Sequence, residues 1–84
     1  MGAFEDAAAR VKTLKKSPGN DELLKLYALY KQGSAGDVSG SRPGAFNFKE
    51  RAKYDAWAGV KGTSKEDAQA KYVALVDDLA KRLG

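Results

Sequence analysis

Residues Tyr27-Ala28-Leu29-Tyr30-Lys31-Gln32 decide how this chain is read. On a helix, Tyr27, Tyr30 and Lys31 stand at i, i+3 and i+4, so two phenol rings and an ammonium share one face. Aromatic rings suit a flat nucleobase and a lysine suits a phosphate. The face is therefore a candidate for a nucleotide-like ligand without any glycine-rich phosphate loop. The plainer reading makes both tyrosines core, their hydroxyls hydrogen-bonded, with Lys31 reaching to water. The hexapeptide alone favours the plainer reading; its surroundings reverse that order.

Upstream, Asn20 is expected as the N-cap of this helix, with Asp21 and Glu22 at its positive end. Downstream it should continue through Gln32 and fray over residues 33–36. Its apolar residues occupy more than one stripe: Leu23, Tyr27 and Tyr30 near one line, Leu24 and Ala28 near another, with Leu26 and Leu29 besides. A surface helix of a small bundle needs one apolar face. The surplus implies either that neighbours cover both sides or that one side lines a groove.

Three further helices are legible. A first runs from about Phe4 to Lys16, with Phe4, Ala8, Val11 and Leu14 on one stripe, and Ser17-Pro18-Gly19 stops it. A third runs from Phe48 or Lys49 to Lys61, with Ala52, Ala56 and Val60 spaced for burial, Trp57 beside them as core, and Gly62 as a left-handed cap. Thr63-Ser64-Lys65-Glu66 matches a capping box with Thr63 as N-cap. The last helix carries Ala68, Tyr72, Leu75, Val76, Leu79 and Leu83 at helical spacing. Asp37 to Asn47 is a loop punctuated by glycine and Pro43, with Phe46 and Phe48 expected to pin its end to the core. A loop of that length is unusual between helices of a compact domain and argues against a tight hairpin of helices two and three. The fold class is all-α, one domain over 1–84.

Composition removes whole classes of chemistry. The 84 residues contain no cysteine and no histidine, which eliminates a thiolate nucleophile, the commonest general base and the usual transition-metal ligands. The acids are scattered and follow no calcium-loop pattern. Hydrophobic and charged shares of 43% and 31% describe a globular chain. No signal peptide or bilayer-length apolar run is present, and the start lacks the serine or threonine of a myristoylation signal, so a cytoplasmic protein is expected. The net charge of +4, from 15 basic and 11 acidic residues, permits an anionic partner without naming it.

Each of the last three helices sets a lysine beside an aromatic: Tyr30-Lys31, Lys53-Tyr54 and Lys71-Tyr72. If these helices converge, lysines and rings face one ligand, and a phosphate between paired lysines and a tyrosine hydroxyl is a charge-assisted site. The plainer reading leaves Lys53 and Lys71 solvated, and it is preferred for Lys71. Lys12 borders the apolar stripe of the first helix, while Lys15 and Lys16 read as a solvated helix end. A nucleic-acid-binding or basic interaction module is the alternative. The second helix starts acidic and offers only Lys25, Lys31 and Gln32, short of a continuous basic recognition face.

Taken in order, the motifs Asp21-Glu22-Leu23-Leu24, Leu26-Tyr27-Ala28-Leu29-Tyr30-Lys31-Gln32, Arg42-Pro43-Gly44, Ala52-Lys53-Tyr54-Asp55-Ala56-Trp57 and Lys61-Gly62-Thr63-Ser64-Lys65-Glu66-Asp67-Ala68 resemble the acyl-CoA-binding protein family over nearly the whole chain. The resemblance implies a four-helix bundle, up-down-down-up, with a long overhand loop between helices two and three. It implies a non-catalytic carrier whose ligand is long-chain acyl-coenzyme A. Tyr27, Lys31 and Lys53 match the positions that hold the 3′-phosphate. Adenine would lie against Tyr30 and Tyr72, with Lys12 and the surroundings of Ala8 contributing, and Leu23 and Leu24 would touch the acyl chain. No cofactor, nucleic acid or stable membrane insertion is implied; a monomer serving acyl-CoA-producing and -consuming enzymes is expected. The chain departs from the family pattern at Tyr54, where tryptophan is usual, at Ser17, often lysine, and at Gly33, often alanine. A helical glycine at 33 is expected to loosen the end of helix two by up to ~1 kcal/mol.

Overall fold

The computed structural model describes residues 2–84; Met1, which the one-domain reading includes, lies outside the described residues. Four α-helices make up the fold: α1 (Ala3–Arg10), α2 (Asn20–Ser34), α3 (Phe48–Ala58) and α4 (Lys65–Leu83). A 3-10 turn, Val11–Thr13, extends α1, and no strand occurs among the described residues.

Helix ends differ from the sequence reading for local reasons. α1 tightens at Val11 instead of running to Lys16, because the Thr13 hydroxyl donates to the Arg10 carbonyl (2.8 Å) and Leu14 turns extended. That turn lets Leu14 pack on the core. Gly19, not Asn20, occupies the N-cap of α2; its carbonyl accepts from the Leu23 amide and Asn20 is already helical. The cap of α4 is Ser64, not Thr63: its hydroxyl accepts from the Asp67 amide (3.1 Å), one residue later than the capping-box reading. α3 ends at Ala58 and descends through single-turn bonds to Gly62, which has the expected positive φ of 93°.

Packing between helices fixes their directions. Residues near the start of α2 (Asn20, Leu23) meet the start of α3 (Phe48, Lys49), and Ala28 and Leu29 lie with Ala56 and Val60. These two helices are therefore parallel. α4 opposes α2, since Gln69 bonds Gly33 at one end and Arg82 pairs with Glu22 at the other. α1 runs with α4, as Arg10–Asp77 and the Lys16–Leu83 backbone bond show. The arrangement is up-down-down-up. Phe4, Ala7, Leu26, Tyr72, Val76 and Leu79 form the core between α1, α2 and α4.

Gly33 is an integral part of that packing. It is buried inside α2, and the helix runs on to Ser34 before Gly36 breaks it at φ 87°. A Cβ at position 33 would come within 2.9 Å of Gln69 Cγ and 3.1 Å of Phe4 Cζ. The side chain of Gln69 also donates to the Gly33 carbonyl (2.8 Å). The glycine's propensity cost remains and is set against the close approach of three helices that its missing Cβ permits.

A parallel neighbour forces the chain back along α3, whose 11 residues span about 16 Å. The returning loop is clamped to α3 and to the turn after it. Trp57 Nε1 donates to the Gly36 carbonyl (2.8 Å), the Tyr54 hydroxyl to the Gly40 carbonyl (3.0 Å), and Arg42 makes a two-bond pair with Asp55 (2.8 and 2.7 Å). At the loop's root, buried Gln32 donates to Asp37 (2.8 Å) and to the Thr63 carbonyl (2.6 Å), and the Gly62 amide also donates to Asp37 (2.9 Å). With two acceptors on one side, the Gln32 amide can present only its nitrogen there; its Oε1 meets no protein donor.

The expectation that Phe46 and Phe48 pin the loop to the core is wrong. They are 95% and 77% exposed. Trp57 and Ala28 are buried further along the helices, whereas the first turn of α3 borders an open cleft with Asn20, Leu23 and Leu24. Nothing at that end is large enough to cover two more rings.

The amide of Gly62, and after it Gln32, hold the Asp37 carboxyl below its ordinary value. A folded pKa below the unfolded one gives stability that is present above about pH 4 and is lost as pH falls through the folded value. Asp37→Ala should lower the urea midpoint at pH 7, and the gap to the parent protein should narrow in titrations taken below pH 4. An undiminished gap at low pH would show that the carboxylate is not the source.

Candidate functional site

Parallel α2 and α3 place side chains one turn apart into two rungs. On α2 the order is Tyr27 then Lys31; on α3 it is Lys53 then Trp57. The Lys53 ammonium lies 5.6 Å from the centre of the Tyr27 ring, and the Lys31 ammonium 5.0 Å from that of Trp57. Each cation is thus held over a ring face, an attraction of roughly 0.5–1 kcal/mol at an exposed site. Rings hold these cations without cancelling their charge. Among the described residues Lys31 has no carboxylate partner, and Lys53 has only Glu50 at 3.5 Å on an exposed surface. The pair therefore presents positive potential to an incoming anion.

Beside these rungs, Ala8, Lys12, Tyr27, Tyr30 and Tyr72 line one cleft of about 350 Å³. Tyr30 and Lys12 also border a second depression, with Phe4, Ala8 and Ser34. The Tyr30 ring is 43% exposed and stacks on Phe4 (centroids 5.4 Å apart), so one face is backed and the rest is reachable. Tyr72 stands differently. It is 3% exposed, edge-on to Phe4 and tilted against Tyr30. It forms the floor of the cleft rather than an open stacking platform.

Beyond Lys53, the groove turns apolar. Leu23, Leu24, Phe48, Ala52 and the stems of Lys49 and Lys53 line a cleft of about 410 Å³ at the α2–α3 mouth. Leu24 is shared with a smaller apolar cleft formed with Ala28, Leu29, Ala56 and Val60. All nine residues singled out from sequence therefore border one continuous flank of the bundle: eight line these clefts and Lys31 stands on the adjoining rung.

Sequence reasoning missed three contributors. Trp57 was assigned to the core alone, yet its ring also seats Lys31. Its Lys53-to-Trp57 spacing mirrors Tyr27-to-Lys31, a signal readable only once the helices are known to be parallel. Phe48 lines the apolar cleft, and Phe4 backs Tyr30. Tyr54 turns away to hold the loop, and Lys71 is exposed as expected.

Burial, and secondarily the neighbouring Tyr30, push the Tyr72 phenol above its ordinary value. A spectrophotometric alkaline titration should resolve one tyrosine that ionises later than the rest, and Tyr72→Phe should abolish that phase. Persistence of the late phase in the variant would place the perturbed phenol elsewhere.

Comparison with known proteins bears on the fold and the family. The family model described as acyl CoA binding protein matches residues 1–76. The chain is 58% identical over 82 residues to acyl-CoA-binding protein homolog 1 of Caenorhabditis elegans, covering 98% of this chain and 95% of that protein. It is 59% identical over 80 residues to the acyl-CoA-binding protein of Dictyostelium discoideum, covering 95% of each. The crystal structure of Oryza sativa acyl-CoA-binding protein 2 superposes with a TM-score of 0.91 at 46% identity, over 95% of this chain and 89% of that one. Fold, length and sequence agree: the chain belongs to the acyl-CoA-binding protein family.

Proposed function

We propose that this protein binds long-chain acyl-coenzyme A esters and carries them intact between the cytoplasmic enzymes that make and use them, acting as a monomer. The observation that carries this reading is the junction at Lys53. Its stem lines the apolar cleft, while its ammonium sits over Tyr27, which lines the aromatic cleft. A ligand with an anionic, nucleobase-bearing head and a long apolar tail fits both sides of that junction.

In this reading Tyr27, Lys31 and Lys53 hold the 3′-phosphate, two ammonium groups and a phenol supplying charge-assisted hydrogen bonds. Adenine lies against Tyr30, backed by Phe4, above the floor made by Tyr72, with Ala8 and Lys12 at the rim. The acyl chain covers Leu23 and Leu24. No helix among the described residues is long and apolar enough to cross a membrane. The chain has no histidine or cysteine to attack the thioester, and the role is binding without turnover.

Two measurements test the assignment. Lys31→Ala and Lys53→Ala should each weaken palmitoyl-coenzyme A binding roughly 10- to 100-fold by calorimetry, the worth of a charge-assisted hydrogen bond of ~1.5–3 kcal/mol, with the helical circular dichroism unchanged. If both variants bind as the parent does, the phosphate clamp is wrong. Across a chain-length series, each buried methylene should add up to ~0.8 kcal/mol until the groove is filled, and free coenzyme A should bind far more weakly than its long-chain esters. Equal affinity for free and palmitoylated coenzyme A would overturn the carrier reading.

A further inference from the structure

The ring of Phe46 has no packing role inside this molecule, and Phe48 borders the apolar cleft while leaving most of its surface in water. Phe46 belongs to neither the core nor the binding clefts, and its ring is almost wholly in water. Phe48 and Leu23, 45% exposed, border the mouth of the α2–α3 groove, and Phe46 stands two residues before Phe48 at the end of the loop that leads into it. Isolated exposed apolar residues are ordinary, but two phenylalanines at one loop end beside an apolar cleft form a patch of the kind that marks an interaction surface.

The charges around the edge indicate what meets it. Residues 42–53 contain four basic side chains, Arg42, Lys49, Arg51 and Lys53, against the single acid Glu50. Arg42 is neutralised by Asp55, and Lys53 leans towards Glu50. Lys49 and Arg51 have no ion pair among the described residues. Beyond these, Asp55 is paired with Arg42 and also feels Arg51, and on the facing end of α2 Glu22 is paired with Arg82, which leaves Asp21. Aromatic rings flanked by unneutralised cations suit a bilayer interface, where rings enter the headgroup boundary and cations meet lipid phosphates. A second copy of the chain would bring the same positive charge against itself, which argues against a symmetric dimer through this edge.

We infer that the Phe46–Lys53 edge docks the empty protein on anionic lipid surfaces, and that acyl-coenzyme A loading releases it. The release rests on the carrier reading above. The 3′-phosphate and diphosphate of the cargo bring roughly three to four negative charges at neutral pH, close to the protein's net +4. Loading thus removes most of the attraction that draws the protein to an anionic surface. The acyl chain also covers the groove side of Phe48, leaving Phe46 as the main apolar contact. Empty carrier is held where an amphiphilic cargo partitions; loaded carrier leaves.

Co-sedimentation with vesicles at low salt tests this, comparing pure phosphatidylcholine with equal parts phosphatidylcholine and phosphatidylserine. The empty protein should sediment with the anionic vesicles alone, and added salt should release it. Phe46→Ser and Arg51→Glu should each reduce partitioning by about tenfold or more, while their calorimetric affinity for palmitoyl-coenzyme A stays at the parent value. Saturating octanoyl-coenzyme A, with too short a chain to hold firmly to the vesicles itself, should release the parent protein. Docking would be overturned by equal sedimentation with both vesicle types, by variants that sediment like the parent, or by self-association through this edge in place of sedimentation. Sedimentation that persists under saturating octanoyl-coenzyme A would overturn the release step alone. Normal docking by a protein with no calorimetric affinity for any acyl-coenzyme A would instead remove the carrier reading and leave the docking edge standing.

Discussion

Parallel packing of α2 on α3 is the constraint on which the rest of this structure depends. Consecutive helices in a small bundle are most simply joined as antiparallel hairpins, and a parallel pair needs a connection that spans the bundle. Here that connection is fixed by bonds from Gln32, Tyr54, Asp55 and Trp57, so it is held along α3 instead of being left free. Parallel register is also what sets Lys53 against Tyr27 and Lys31 against Trp57. Reversing one helix would separate both rungs, so the long loop and the cation site have one cause.

The aromatic cluster of Phe4, Tyr30 and Tyr72 serves the core and the cleft at once. Tyr72 is sealed between α1 and α2, which makes it a rigid floor, while Tyr30 keeps part of its ring in water. Gly33 lets α1 and α4 close on α2 one turn beyond Tyr30, and Phe4, pressed near that glycine, is the ring that backs Tyr30. Packing in an 84-residue chain with few large side chains therefore fixes site geometry directly. A substitution at Gly33 is expected to reach the Tyr30 side of the cleft through the position of Phe4.

Much of this was legible beforehand. Helix periodicity, the length of the 37–47 loop and the Tyr27/Lys31 spacing gave the bundle and one side of the site, and the ordered motifs gave the family. What was not legible depended on contacts between segments distant in sequence. Thr63 and Ser64 are both acceptable caps, and the choice of Ser64 leaves the Thr63 carbonyl for Gln32. Phe46 and Phe48 look like core residues in a sequence; only the structure shows that no helix covers them and that Phe48 borders an open apolar cleft at the end of the α2–α3 groove. Gly33 read as a weak helix position because the side chains that crowd it come from α1 and α4.

The central claim is that Lys53 joins the anionic head of the ligand to its apolar tail. A double-mutant cycle by calorimetry tests it most directly, pairing Lys53→Ala with removal of the 3′-phosphate from palmitoyl-coenzyme A. The account predicts strong coupling: once the lysine is gone, loss of the phosphate costs much less than in the parent protein, by an interaction energy of about 1.5–3 kcal/mol. Simple additivity of the two losses would contradict a direct contact between Lys53 and the phosphate.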